Sequence, residues 1–174
     1  MRYAVLIATI FALIGCATTT VLETVYVPAQ NSGWKVGSGN NRPGSTLVEF
    51  IPAGESISSW SRMFTIQFLE GTRESPRAVM SSLQAQAQSH CSGVHWAIVS
   101  EDTASITYQW SIFNCPGQPD QIEIARLLKG NDGVHRIAYV RKGTQFEQGE
   151  SESWLSAFSK AYVEKDGKRV VVAP

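Results

Sequence analysis

Ser105-Ile106-Thr107-Tyr108-Gln109-Trp110-Ser111-Ile112 is the stretch on which the fold turns. Its large apolar side chains alternate with Thr, Gln and Ser, and in an extended chain successive side chains point to opposite faces. The period of two predicts a strand with one face in the core and the other wet, as in half-covered antiparallel sheet. The strand is expected to run on toward Cys115. That cysteine has the opposite parity from the apolar set, so it meets the core only if the strand ends or bulges near Phe113.

Upstream, Val94 to Ser100 reads as a second strand, joined to the first through Glu101-Asp102-Thr103. Downstream, Gln121–Lys129 and His135–Lys142 flank Gly130-Asn131-Asp132-Gly133, whose Gly and Asn residues suit a hairpin turn. Ser61 to Leu69 is a strand with Phe64, Ile66 and Phe68 on one face, and Leu47 to Ile51 is a short strand stopped by Pro52-Ala53-Gly54. Val25-Tyr26-Val27-Pro28 is a first strand or an ordered arm.

Two stretches change period. Ser75-Pro76 is a helix start, a hydroxyl cap followed by a proline whose missing N–H costs nothing there. From it Val79, Met80, Leu83, Ala87 and Cys91 recur at three and four residues, predicting a helix to about Ser89. Trp154, Leu155, Phe158, Ala161 and Tyr162 form the stripe of a second helix expected over Glu150 to Glu164. Glu150 and Glu152 stand at its positive end, Lys160 and Lys165 near its negative end, and Gly167 stops it. Val170 to Val172 is read as a strand closing the sheet. The expected order is β-β-α-β-β-β-β-α-β, an α+β domain of mostly antiparallel sheet with two packed α-helices.

The chain has 174 residues, 43% of them hydrophobic, enough for one cored domain and unlike a disordered or fibrous sequence. Fifteen basic residues balance fifteen acidic ones, so no single-sign field gathers a nucleic acid.

Met1 to Gly15 reads as a secretory signal, with Arg2 in the n-region and an apolar run from Ala4 to Leu13, shorter than the ~20 residues of a membrane span. Its end, Leu13-Ile14-Gly15-Cys16, resembles the lipobox of bacterial lipoproteins. That resemblance implies cleavage before Cys16, lipidation of its sulfur and a mature chain anchored by more than one acyl chain. Ala17, rather than Asp, follows the cysteine, which points to the outer membrane with the domain facing the periplasm. The expected organisation is a signal over 1–15, a lipidated N-terminus and flexible linker over 16–45, and the domain over 46–174. Asn31 to Ser45, rich in Gly, Asn and Ser, is the basis for the linker.

An exported chain with Cys16 lipidated has two cysteines left, Cys91 and Cys115, in a compartment where disulfides persist. Their pairing is the expected outcome, worth about 3 to 4 kcal/mol in the chain-entropy view. The competing reading, a zinc set of His90, Cys91, His95 and Cys115, has the right ligand types but lacks a Cys-x2-Cys or His-x3-His pair. No metal is expected. Gly39 to Thr46 has P-loop glycine spacing, yet Ser45 stands where the lysine belongs, and it reads as loop. There is no Gly-x-Ser-x-Gly elbow, no cofactor motif and no catalytic constellation. Trp34 and Trp60 lie beside loop signals and are the candidate contact residues, for a sugar or a protein, against the blander role of covering a sheet edge.

Glu49-Phe50-Ile51-Pro52-Ala53-Gly54-Glu55, with Trp60 and the strand Met63 to Gln67, resembles the opening of small bacterial envelope proteins of no known activity. The element order from Thr46 to Val172 is similar to the Mog1/PsbP-like α/β/α sandwich. That resemblance implies a curved antiparallel sheet used mostly for protein contacts, and no site residues come with it. The expectation is a non-catalytic accessory lipoprotein that binds an envelope protein. The alternative is a small-ligand or cell-wall-glycan binder with Trp34 or Trp60 at the mouth of a pocket against the Glu150 helix. An envelope hydrolase comes third.

Overall fold

The hairpin predicted across Gly130–Gly133 forms the middle of the molecule. In the computed structural model, which describes residues 22–28 and 33–172, it joins β7 (Gln121–Lys129) to β8 (Gly133–Lys142). Their register runs from Gln121 opposite Lys142 to Lys129 opposite Val134. Both strands are buried on both faces, so they read as nearly continuous apolar runs. Outward on one side lie β6 (Ser105–Ile112) and β5 (Val94–Glu101), and on the other β4 (Arg62–Glu70), β3 (Ser45–Pro52) and β2 (Trp34–Arg42). The seven strands form one antiparallel sheet in the order β2-β3-β4-β8-β7-β6-β5.

Side-chain parity then assigns each helix to a face. Ala125, Leu127, Val134 and Ala138 join Ile106 and Tyr108 under Val79 and Met80 of α1 (Pro76–His90). Ile124, Leu128, Ile137 and Tyr139 point the other way, toward Phe64 and Phe158 of α2 (Glu150–Ser159). The result is an α+β domain of three layers, a helix on each side of the sheet. α1 starts as predicted: the Ser75 side chain accepts the Ala78 N–H at 3.2 Å, with Pro76 in the first turn. Among the described residues no helix is long and apolar enough to cross a membrane.

Four expectations are corrected. The stretch expected to be a flexible linker up to Ser45 contains the edge strand β2, paired from Trp34–Pro52 to Arg42–Ser45, so the sheet begins well before Thr46. β3 supplies its hydrogen bonds, and the glycines are used: a bulge falls between Val36 and Ser38, where a Cβ on Gly37 would come within 3.0 Å of Ile51.

The second helix ends at Ser159, not Glu164. The chain continues as β9 (Tyr162–Lys165), which pairs with β1 (Thr24–Tyr26), and Tyr26 stacks on Tyr162 at 4.9 Å. Asp166 and Gly167, at φ 53° and 70°, turn it into β10 (Lys168–Arg169). The last strand therefore belongs to a separate three-stranded sheet, β1-β9-β10, instead of closing the large one with Val170–Val172.

The fourth correction concerns the wet face of β6. Ser105, Thr107 and Ser111 are buried, because these short side chains lie between longer neighbours such as Arg126 opposite Thr107 and Ile122 opposite Ser111. The expected signal segment, 1–15, and Cys16 lie outside the described residues.

Candidate functional site

A cleft of about 490 Å³ opens between the α2-side face of the sheet and α2 itself. Local sequence sets its floor. Gly149, at φ 76°, lets the chain turn into α2, and the four-residue spacing of Trp154 and Phe158 lays both rings on the sheet. Trp154 stacks on Tyr139 with centroids 4.3 Å apart and on Phe64 at 5.3 Å. Trp34, at the start of β2, meets Trp154 and Tyr139 edge-on at 6.2 and 6.3 Å. Both geometries suit aromatic quadrupoles. The Arg62 guanidinium lies over the Trp34 ring, 5.7 Å from its centroid.

The acids at the cleft are already engaged. The Glu150 carboxylate accepts the Tyr139 hydroxyl, Arg141 Nη1 at 3.2 Å and the Glu147 backbone N–H at 2.9 Å. Arg141 Nη2 donates to Glu147. Burial, then the hydrogen bond and charge of Glu150, push the Tyr139 phenol well above its ordinary value, so it stays a protonated donor. With those partners Glu150 acts as a structural acceptor, since a general base needs a free lone pair facing the substrate. Arg62 and Lys160 also line the cleft. Among the described residues neither has a carboxylate within 4.0 Å.

The predicted site residues separate. Trp34 lines the cleft, whereas Trp60 packs on Ile51, Met63 and Val140, with Lys142 Nζ 4.2 Å above its ring. Cys91 and Cys115 come together with Ile112 in a buried cluster. β6 ends at Ile112, and Asn114, at φ 56°, turns Cys115 inward, which resolves the parity conflict. The sulfurs are not bonded to each other; hydrogen bonding to Cys91 pushes the Cys115 thiol up.

Because the thiols are buried in contact, a disulfide between them is expected to form under oxidising conditions. A thiol-reagent count on unreduced, denatured protein should then find neither residue free; two reactive thiols would disprove the bond.

The proposed zinc ligands diverge. His90 turns its Nδ1 to the Gln86 carbonyl at 2.8 Å, and His95 is exposed against Phe113. Among the described residues no three His, Cys, Asp or Glu side chains are arranged to hold a metal.

Other polar groups close on themselves. Buried Glu123 accepts Trp110 Nε1 at 2.6 Å and Arg136 Nη2 at 2.5 Å. A second cavity, near Asp132, is walled by Lys165 paired to that aspartate at 2.6 Å and by Lys129 donating to the Thr72 and Glu74 carbonyls. His135, fully buried, stacks on Phe68 at 4.5 Å and faces the Glu23 carboxylate at 3.5 Å.

Sequence reading missed Arg62 and Tyr139 as partners of Trp34, and Glu150 as the partner of Tyr139. Local pattern marked Tyr139 as a strand residue and Glu150 as a helix-start acid, and nothing local joins them across the fold. No protein-family model matches the chain, and neither a curated protein nor a solved structure does.

Proposed function

We propose that this chain is a lipid-anchored domain of a bacterial envelope that acts by binding, and that the cleft beside α2 takes a small ligand. The observation that carries this reading is Trp34, with Arg62 over its ring, bordering a cleft of about 490 Å³ whose inner acid, Glu150, is taken up by Tyr139 and Arg141. An aromatic platform with a few convergent polar groups is the usual make-up of a small-ligand site, and occupied carboxylates disfavour acid–base chemistry. The tether follows from the lipobox-like Leu13 to Cys16 and its implied acyl chains.

The test is titration with muropeptides, read by intrinsic tryptophan fluorescence and, because substitution removes part of that signal, by calorimetry. The expected result is saturable binding that Trp34→Ala weakens at least tenfold. Absence of binding, or an unchanged affinity in the variant, overturns the cleft as the site.

A second reading, an envelope protein partner, is favoured by β5. Among the described residues it has a neighbour on one side only, and it leaves Ile98 and Val99 44% and 47% exposed, an edge open to strand addition. In-cell cross-linking of the acylated protein would recover one defined partner through β5.

A further inference from the structure

The charges around the cleft divide unevenly, and the division names a ligand class. Glu147 and Glu150 share one arginine, Arg141, and Glu150 holds the Tyr139 hydroxyl as well. Both Glu150 oxygens are taken, and Glu147, paired to Arg141 through one oxygen, turns mostly to solvent. Arg62 and Lys160 are in the opposite condition. Arg62 comes from β4 on the sheet and Lys160 follows directly on α2, so two cations reach the cleft from its two walls with no carboxylate partner among the described residues.

A guanidinium set over an indole at 5.7 Å is oriented by the ring and still has its N–H fork for an anion. Lys160 adds a mobile point charge. Between these cations the lining is rich in neutral hydrogen-bonding groups, Gln148, Ser153 and Ser156. Such groups match hydroxyls and amides rather than hydrocarbon, and Trp34 offers an apolar surface to a ring.

We propose that the cleft recognises a carboxylate-bearing sugar, its ring against Trp34 and its carboxylate between Arg62 and Lys160. This rests on the cleft being the binding site. Carboxylate–guanidinium hydrogen bonds are charge-assisted and can be bidentate, so the acid group, more than the ring, sets the selectivity. A neutral sugar of the same ring retains the aromatic contact but leaves both cations without a counter-charge. The acidic group can come from a lactyl ether on an amino sugar or from a uronic acid; the two present the same carboxylate on a pyranose.

The experiment compares two matched pairs by calorimetry at low salt: N-acetylmuramic acid against N-acetylglucosamine, and glucuronic acid against glucose. The full mature protein, Arg62→Met and Lys160→Met are each titrated, with thermal melting to verify that both variants fold. At least one acid is expected to bind tenfold or more tightly than its neutral partner. That preference should fall at least threefold in each variant and shrink as salt rises. Because Lys160 is exposed, its variant keeps the test open even if Arg62→Met unfolds. Equal binding of acid and neutral sugar refutes the charge assignment and leaves the cleft reading standing. An acid preference unchanged in the folded variants also refutes it. If none of the four sugars binds, the assignment falls; if muropeptides fail as well, the cleft reading falls with it.

Discussion

Replacing Phe158 by alanine is expected to remove about 3 to 5 kcal/mol of stability, the range for a buried aromatic truncated to alanine. Phe158 is wholly buried where α2 meets the sheet, with its ring 5.5 Å from Trp154 and 6.3 Å from Phe64. Truncation withdraws the ring but leaves the sheet and the rest of α2 in place, so the void fills only by a shift of the helix. A shift also moves the Phe158 carbonyl, which accepts Arg126 Nη1 at 2.6 Å. Arg126 already has a buried Nε with no partner among the described residues, so losing this bond strands more of a half-buried cation. Trp154, stacked on Tyr139, belongs to the same helix face. The stability loss should therefore be accompanied by weaker ligand binding in the cleft. Denaturant unfolding followed by tryptophan emission measures the first effect and calorimetry the second. A loss under about 1 kcal/mol would mean that α2 is held by something other than this ring.

Removal of the Glu23 carboxylate is expected to cost about 3 kcal/mol, the scale for breaking a buried, hydrogen-bonded charge site. Glu23 precedes β1, and its buried side chain accepts the backbone N–H groups of Asn131 and Asp132 at 2.8 and 3.1 Å. These are the turn amides of the central hairpin, and among the described residues they have no other acceptor. Gly130 is the matching half of the contact: a Cβ there would lie 2.1 Å from Glu23 Oε2. Gly130→Ala should therefore eject the same carboxylate. The two changes act through one contact, so the double variant Glu23→Ala/Gly130→Ala should lose clearly less than the sum of the singles. Additive losses in urea unfolding would show that the glycine and the acid act independently.

The same contact predicts a dependence on pH. Burial lowers the His135 imidazole, while the hydrogen bond and charge of Glu23 and the charge of Asp132 act to raise it; burial prevails, since the two turn amides already answer the carboxylate. The imidazole of the unfolded chain takes up its proton near pH 6.5 and that of the folded chain only below this. The unfolded state thus binds more protons as pH falls through that value, and stability declines. Unfolding midpoints from pH 8 to pH 5 should fall below about pH 6.5 in the wild type, and this step should be lost in His135→Phe.

Most of the secondary structure was legible because its causes are local. Ser75-Pro76 specifies a helix start by a cap and a fixed φ, and the alternation in Ser61–Leu69 and Ser105–Ile112 specifies which residues share a face. The misreadings arose where a partner outweighed propensity. Glycine and asparagine in β2 look like loop until β3 supplies the hydrogen bonds. Ala161-Tyr162-Val163 continues a helical stripe until β1 offers a strand to pair with.

The candidate site was legible in part. Trp34 was identified beside a loop and the Glu150 helix was expected to line a pocket, yet Trp60 was an equal candidate. The two differ only in their surroundings, Tyr139 and Trp154 for one, Ile51, Met63 and Val140 for the other. Periodicity, caps and turn residues by themselves determined an α+β chain with antiparallel strands and two helices, since each acts within a few residues. Tertiary structure alone decided that Glu23 reaches Asn131 across 108 residues, that Cys115 turns in to Cys91 and that Trp34 meets the α2 rings. Those contacts depend on which distant surfaces exclude water together, and no local pattern encodes that choice.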